Sequence, residues 1–179
     1  MASLAGTNRD AYGTENFTAV TEFYAKFYVY IDALAYNVND SGYLCTLTTG
    51  DNGTLLLGLK AGRAKLIGGV DRWYTVGQGL TSADTTTNFS FDAWHKVELY
   101  WKQGSGSAVH RVTIDGTVIR EQTTGTSTAS ATQFNVGHIG GDNPTGGTIY
   151  YDEIEGYDAI PSVVPRIMQA MNQFTGGLN

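Results

Sequence analysis

Acidic side chains near the end of the chain are the first candidates for chemistry. The segment Asp152-Glu153-Ile154-Glu155 lies in a strand-like run, where period-two alternation puts Glu153 and Glu155 on one face. Two carboxylates on one face can serve as nucleophile and general acid in the cleavage of a glycosidic bond. The same residues also suit a solvated strand beside a turn, and we expect that structural role for them.

Histidine, cysteine and serine patterns supply no further catalytic centre. His95, His110 and His138 fall in three separate predicted strands without the spacing of metal ligands, so we expect them to pack or to lie on the surface. The single cysteine, Cys45, lies in an apolar run and is expected to be a small buried side chain. The sequence contains no Gly-x-Ser-x-Gly elbow and no phosphate-binding loop.

Aromatic residues on one predicted strand form the candidate binding surface. Between Phe23 and Ala33 the apolar side chains share one face, and the other face carries Tyr24, Lys26, Tyr28 and Tyr30. Exposed tyrosines can stack on sugar rings or anchor a protein interface, because each offers a large apolar surface at low entropic cost. Alternatively, they pack against neighbours in the same sheet or beneath the terminal segments, and both interpretations stay open.

The elements that position these residues are predicted to be strands. The 179 residues include 23 glycines and only 3 prolines, a composition typical of short strands joined by tight turns. Turn signals at 50–53, 104–107 and 115–116 separate the alternating runs, one of which extends from Trp94 to Trp101. About ten to twelve strands at these spacings predict an all-β domain, built as a two-sheet antiparallel sandwich.

The two ends of the chain are predicted to differ from the sandwich. We expect an N-terminal extension over 1–15, the sandwich over 16–159 and a helical tail over 160–179, where Ser162 can cap the helix and Pro165 falls in its first turn. The helix presents an apolar stripe formed by Val164, Ile167, Met168, Met171 and Phe174. This stripe docks either on the chain's own sheet or on another subunit, for which methionine side chains are well suited.

Charge and hydropathy exclude two classes of partner. The net charge is -6 and the 11 basic residues are scattered, which argues against a nucleic-acid partner because phosphate binding needs clustered Lys and Arg. No run reaches the ~20 apolar residues of a membrane-spanning helix. The first residues lack the basic start and apolar core of a secretory signal, so we expect a soluble protein made in the cytoplasm.

Four segments, taken in order, carry a family resemblance. They are WHKVELYW, VTIDGTVI, FNVGHIGG and YYDEIEGYD. Together they resemble the laminin-G-like branch of the concanavalin A-like jelly-roll superfamily, over residues 17–158. The resemblance implies a jelly roll with one concave and one convex sheet, a fold shared by sugar-binding modules, adhesion domains, glycan hydrolases and virion proteins.

The resemblance also bears on calcium. Relatives hold this ion at a sandwich edge with Asp and Asn oxygens, and two pairs of turn residues offer such ligands: Asp51 with Asn52, and Asp142 with Asn143. Turns require the same residues for backbone reasons alone, so a calcium site and a cofactor-free protein both stay open.

A comparison with the catalytic relatives leads to the functional expectation. Retaining glycan hydrolases of this superfamily carry Glu-x-Asp-x-x-Glu on a strand, and the segment at 152–155 lacks the Glu-x-Asp element. We therefore expect no enzymatic activity. The favoured function is a structural module of a bacteriophage virion, on a capsid or tail, that contacts other protein subunits. The alternative is a lectin-like module that binds glycans through the tyrosines, with or without calcium.

Overall fold

Strands dominate the computed structural model, which describes residues 11–35, 41–51, 53–64, 70–80, 83–88, 90–139, 146–160 and 166–167. The strands of these ranges are β1 (Ala11–Val20), β2 (Glu22–Ala35), β3 (Ser41–Thr48), β4 (Leu55–Ala64), β5 (Val70–Val76), β6 (Ala83–Asn88), β7 (Trp94–Lys102), β8 (Gly104–Ile114), β9 (Thr117–Ser127), β10 (Ala131–His138), β11 (Gly146–Tyr157) and β12 (Arg166–Ile167). Within the same ranges, no helix is long and apolar enough to cross a membrane.

Two six-stranded antiparallel sheets form a sandwich. Sheet A has the order β1-β10-β3-β4-β5-β6, and sheet B has the order β12-β11-β2-β7-β8-β9. The chain therefore crosses between the sheets after β1, β2, β6, β9 and β10, and it forms hairpins within each sheet elsewhere. The predicted all-β, two-sheet antiparallel sandwich is confirmed.

The facing sides of the two sheets form one apolar core. In β2, Phe27, Val29 and Ile31 are fully buried, and the residues between them are partly exposed, as the alternation predicts. Trp73 and Phe134 of sheet A pack into the same core. Burial of one such side chain contributes about 1.5–3 kcal/mol, so this face of β2 fixes the strand in place. The outward face of β2 is thereby left for polar and aromatic side chains.

Cys45 lies on β3 within this core. The side chain is fully buried, and burial raises the pKa of its thiol to about 12. A thiol with so high a pKa remains protonated near neutral pH and is a poor nucleophile. Its role is packing.

The N-terminal strand β1 begins inside the range predicted as an extension. It pairs with β10 from Ala11 to Val20, and Phe17 stacks on Phe23 with ring centroids 5.1 Å apart. β1 is an edge strand, which is held by backbone hydrogen bonds on one side and needs few apolar residues. Its polar sequence therefore gave little sign of a strand.

The helix predicted near the C-terminus is wrong at its two described residues. Arg166 and Ile167 form β12, which pairs with Gly156 and Glu155 of β11. β11 would otherwise be the edge of sheet B, and extended residues satisfy its unpaired backbone groups. The side chain of Ile167, together with Met168, Met171 and Phe174, lies outside the described residues, so the docking of the stripe and the division into three segments stay predictions.

Candidate functional site

The outer face of sheet B brings the predicted tyrosines together with side chains of two neighbouring strands. β2 lies between β11 and β7, and the pairing registers align their outward residues in rows across the sheet. We call this surface the tyrosine face. It consists of Tyr24, Lys26, Tyr28, Tyr30, Trp94, Lys96, Glu98, Tyr100, Tyr150, Asp152, Glu155 and Tyr157. Apart from the buried Tyr157, all of these residues are at least partly exposed.

A β-bulge in β11 decides which carboxylate joins this face. Asp152 pairs with Tyr28 and Glu155 pairs with Lys26, so β11 has one residue more than β2 in this interval. Glu153 lies in the bulge with a φ of 47°. The prediction that Glu153 and Glu155 share a face assumed unbroken alternation, which the bulge interrupts. Of the two glutamates, Glu155 is the one in register with β2, opposite Lys26.

Tyr24 and Glu98 form the first of two tyrosine–carboxylate pairs. The Tyr24 hydroxyl donates to Oε1 of Glu98 at 2.6 Å, and Nζ of Lys96 lies 3.1 Å from the same oxygen. Burial, followed by the bond to Glu98, raises the pKa of Tyr24. Burial also acts to raise the pKa of Glu98, but the hydrogen bonds from Tyr24 and Lys96 outweigh it, and the pKa lies below its ordinary value. Near neutral pH the carboxylate is ionised and the phenol is protonated.

Tyr157 and Glu155 form the second pair. The Tyr157 hydroxyl donates to Oε2 of Glu155 at 2.5 Å, and Nζ of Lys26 lies 3.1 Å from that oxygen. The hydrogen bond to Glu155 is the main cause that raises the pKa of Tyr157 to about 12, and the same bond is the main cause that lowers the pKa of Glu155. Lys26 is in register with Glu155 on one side and Glu98 on the other, which places the two carboxylates on strands about 10 Å apart.

The other end of the tyrosine face is aromatic. The ring of Tyr30 lies between those of Trp94 and Tyr150, with centroid distances of 5.5 and 5.9 Å. Trp94 is 42% exposed. Burial, then the charges of Asp92 and Asp32, raise the pKa of Tyr30. Such a group of partly exposed rings offers the flat apolar surface on which a sugar ring stacks.

The structure bears on both interpretations of the β2 tyrosines. Tyr24 and Tyr30 contact neighbouring side chains of the same sheet and keep part of their surface exposed. The binding role of Tyr24, Lys26, Tyr28 and Tyr30 stays a prediction. Sequence reasoning missed six partners, namely Trp94, Lys96, Glu98, Tyr100, Tyr150 and Tyr157. Alternation in β7 indicated the outward side of four of them, but the register that joins the strands is not readable from one sequence.

A second polar cluster surrounds His95, which is 7% exposed. Its Nδ1 lies 2.7 Å from Oδ2 of Asp115, and its Nε2 lies 3.2 Å from the Ser90 hydroxyl and 3.0 Å from the Ser90 carbonyl oxygen. The order Asp, His, Ser matches that of a nucleophilic triad. A general base, however, needs a free lone pair at Nε2, whereas here that nitrogen faces a carbonyl, which only accepts. The cluster anchors the residues before β7 to the turn between β8 and β9.

The remaining histidines add no metal site to the described structure. His110 is fully buried between the sheets, and burial lowers the pKa of its imidazole. The side chain of His138 lies outside the described residues. Across the described ranges, no group of three or more His, Cys, Asp or Glu side chains is placed to hold a metal ion.

The predicted calcium ligands are described only in part. Asp51 accepts a hydrogen bond from Nε2 of Gln133 at 2.5 Å, so one of its oxygens has a protein partner. Its neighbour Asn52 and the second pair, Asp142 and Asn143, lie outside the described residues. The calcium site therefore stays a prediction.

Comparisons with known proteins show the fold. No protein-family model and no curated protein matches the sequence. An alginate lyase solved with alginate trisaccharide is 14% identical, with a TM-score of 0.61 over 80% of this chain and 73% of that chain. A sialidase is 12% identical, with a TM-score of 0.59 over 87% of this chain but 15% of that chain. Trypanosoma rangeli sialidase is 18% identical, with a TM-score of 0.54 over 77% of this chain and 21% of that chain.

These neighbours correct the functional expectation. The prediction of a non-catalytic, virion-associated module is wrong, because the structures that share this sandwich are alginate lyases and sialidases, which are enzymes. The missing Glu-x-Asp element excluded only the route used by one group of glycan hydrolases. At such low identity the likeness establishes the fold alone. Nothing in it supports a capsid, a tail or other protein subunits as partners.

Proposed function

We propose that the protein processes a glycan that it binds across the tyrosine face. The observation that carries this proposal is the pair of tyrosine–carboxylate contacts on either side of Lys26, next to the stacked rings around Tyr30. A glycan-acting site needs a surface that orients the sugar and groups that move a proton. The tyrosine face offers both within three adjacent strands.

The aromatic end provides the binding part of the site. Tyr30 and Trp94 are at least partly exposed, and Tyr28 lies one row further along β2, between Asp152 and Lys96. A sugar ring presents apolar C–H groups to an aromatic face and hydroxyls to its surroundings. The carboxylates and ammonium groups beside the rings accept from and donate to those hydroxyls, so one glycan can satisfy both kinds of contact.

The Tyr24–Glu98 pair provides the proton-transfer part. When a glycan is bound, the ionised Glu98 carboxylate takes a proton from the sugar and the Tyr24 phenol, 2.6 Å away, gives its proton to the leaving oxygen, so one proton enters the pair and one leaves it. General acid–base catalysis of this kind contributes typically about 10²–10⁴-fold to a rate. Tyr157 and Glu155 repeat the arrangement on the other side of Lys26.

Two comparisons support the proposal. An alginate lyase with the same sandwich has been solved with bound alginate trisaccharide, and this chain spans 73% of it. The resemblance of the sequence to the concanavalin A-like superfamily, which includes glycan hydrolases and sugar-binding modules, agrees with a glycan partner; the assignment to its laminin-G-like branch belongs to this proposal too.

An activity assay on two matched variants tests the proposal. The purified protein is incubated with a panel of polysaccharides, and new reducing ends and unsaturated products are measured. Glu98→Gln keeps the shape of the side chain and is expected to lower kcat/KM about 100-fold. Glu15→Gln on β1 removes an equal charge from the other sheet and is expected to change kcat/KM less than about twofold.

Two results would contradict this proposal. One is full activity of Glu98→Gln, and the other is a lack of both binding and cleavage across the panel by the unaltered protein. Urea unfolding of each variant separates loss of chemistry from loss of fold.

A further inference from the structure

The cations on the outer face of sheet B are all paired with carboxylates in the described part of the chain. Lys26 lies 3.1 Å from Glu155, Lys96 lies 3.1 Å from Glu98, and Lys102 lies 3.4 Å from Glu22. The fourth cation, that of Arg111, contacts Glu121. None of these four is left to neutralise a negatively charged ligand.

Further carboxylates add to the negative charge of this face. Asp152 is exposed and in register with Tyr28, and Asp32 and Asp92 act on Tyr30 from the aromatic end. Acidic side chains on or beside the face therefore outnumber the basic ones. The chain as a whole carries a net charge of -6, so the long-range field also repels anions.

A polyanionic glycan fits this surface poorly. A sugar carboxylate that leaves water needs a cation or several donors as compensation, and a carboxylate of the protein beside it raises the cost. Hydroxyl groups have no such requirement, because ionised Glu and Lys side chains bind them directly. Resting on the proposed function, we infer that the glycan of the tyrosine face is neutral, unlike the alginate bound by the structural neighbour.

Binding measurements with neutral and charged glycans test this inference. Calorimetric titration uses neutral mannan, xylan and laminarin oligosaccharides on one side, and alginate and polysialic acid on the other. We expect binding of at least one neutral glycan, with a Kd that changes less than about twofold between low and high salt, since no counterions are displaced. We expect no saturable binding of either polyanion.

A variant that lacks two of the carboxylate charges should bind a polyanion better than the unaltered protein does. The double substitution Glu98→Gln with Glu155→Gln frees Lys96 and Lys26, and it is expected to produce saturable alginate binding at low salt, which the unaltered protein lacks. Glu15→Gln on β1 removes one charge from the other sheet and is expected to leave alginate binding unchanged.

The outcomes separate the two claims. Tight, salt-sensitive binding of alginate or polysialic acid by the unaltered protein would contradict the inference that the glycan is neutral. It would not contradict the proposal that the protein processes a glycan. A lack of gain in the double variant, while it remains folded, would show that the paired carboxylates do not set the charge preference and would also overturn the inference. Absence of binding by both classes would overturn the inference and the proposed function together.

Discussion

The outer faces of the two sheets both carry rows of polar side chains, yet they use them differently. On sheet A the row is an amide network formed by Thr14, Asn16, Thr46, Thr48, Asp51, Gln133 and Asn135. Asn135 accepts from Thr14 at 2.8 Å and donates to Thr46 at 3.1 Å. Gln133 and Asn135 are only 4% and 5% exposed. The donors and acceptors of this network, including the Asp51 carboxylate, bond to one another, and few are left to bind a ligand.

The tyrosine face on sheet B retains hydrogen-bond acceptor sites that its internal contacts do not use. Its hydrogen bonds join phenols and ammonium groups to carboxylates, and an ionised carboxylate has about four acceptor sites. Glu98 uses its contacts with Tyr24 and Lys96 and remains partly exposed. A polar row on a sheet thus indicates a binding site only where exposed groups retain unused donors or acceptors. A saturated, buried row is structural.

Gln133→Ala is expected to have the largest effect and to act on stability alone. The side chain donates to Asn16 and Asp51 and accepts from Thr48 and Asn135, so its loss leaves several polar atoms without partners. We expect the free energy of unfolding to fall by about 3 kcal/mol, measured by urea denaturation, without a change in glycan affinity.

Asn88→Ala is the matched control for this amide. Asn88 is exposed on the edge strand β6, and its removal is expected to cost less than about 0.5 kcal/mol. If folded Gln133→Ala bound the glycan more weakly, the amide network of sheet A would contribute to binding. Its role would then not be structural alone, as we expect.

Tyr28→Ala is expected to have a smaller effect that acts on binding. The ring lies at the centre of the tyrosine face, and the loss of one stacking contact is worth about 0.5–1.5 kcal/mol, or up to about tenfold in Kd. Stability should change by less than about 1 kcal/mol, because the side chain is partly exposed. Val118→Ala removes a 49% exposed side chain from β9 and serves as the control. Equal affinities for the two variants would place the glycan elsewhere.

Alkaline titration is expected to give the smallest effect, and it tests the tyrosine–carboxylate hydrogen bonds of sheet B. Burial and the bond to Glu22 raise the pKa of Tyr100 from 10.0 to about 12, and the bond to Glu155 does the same for Tyr157. The folded state therefore holds these protons more tightly than the unfolded chain. Their stabilising contribution is complete below pH 10 and is lost as the pH rises through 12.

Ultraviolet absorbance of phenolate during a pH titration measures this delay. Tyr100→Phe and Tyr157→Phe should each remove one group that titrates late. In the unaltered protein, the urea concentration at the midpoint of unfolding should decrease as the pH is raised from about 10 to about 12. Titration of all tyrosines near pH 10 in the folded protein would show that these hydrogen bonds are weak.

Local sequence patterns predicted interior strands such as β2 and one of the turns. Alternation in β2 separates the buried Phe27, Val29 and Ile31 from the outward tyrosines. The Asp115-Gly116 pair predicts a hairpin turn, and both residues have positive φ, 50° and 79°. These features depend on neighbours along the chain, and their signal is therefore contained in a short window of sequence.

Tertiary structure alone decided which strands lie side by side and in what register. Glu155, rather than Glu153, faces Lys26 because a bulge inserts one residue, and Thr14 reaches Asn135 across 121 positions of sequence. The edge strands β1 and β12 likewise form through backbone hydrogen bonds, which any residue except proline can donate. The all-β class and the outward tyrosines were therefore predictable from local patterns of residues. The carboxylate partners that make those tyrosines a candidate site follow from long-range strand pairing, which no local pattern encodes.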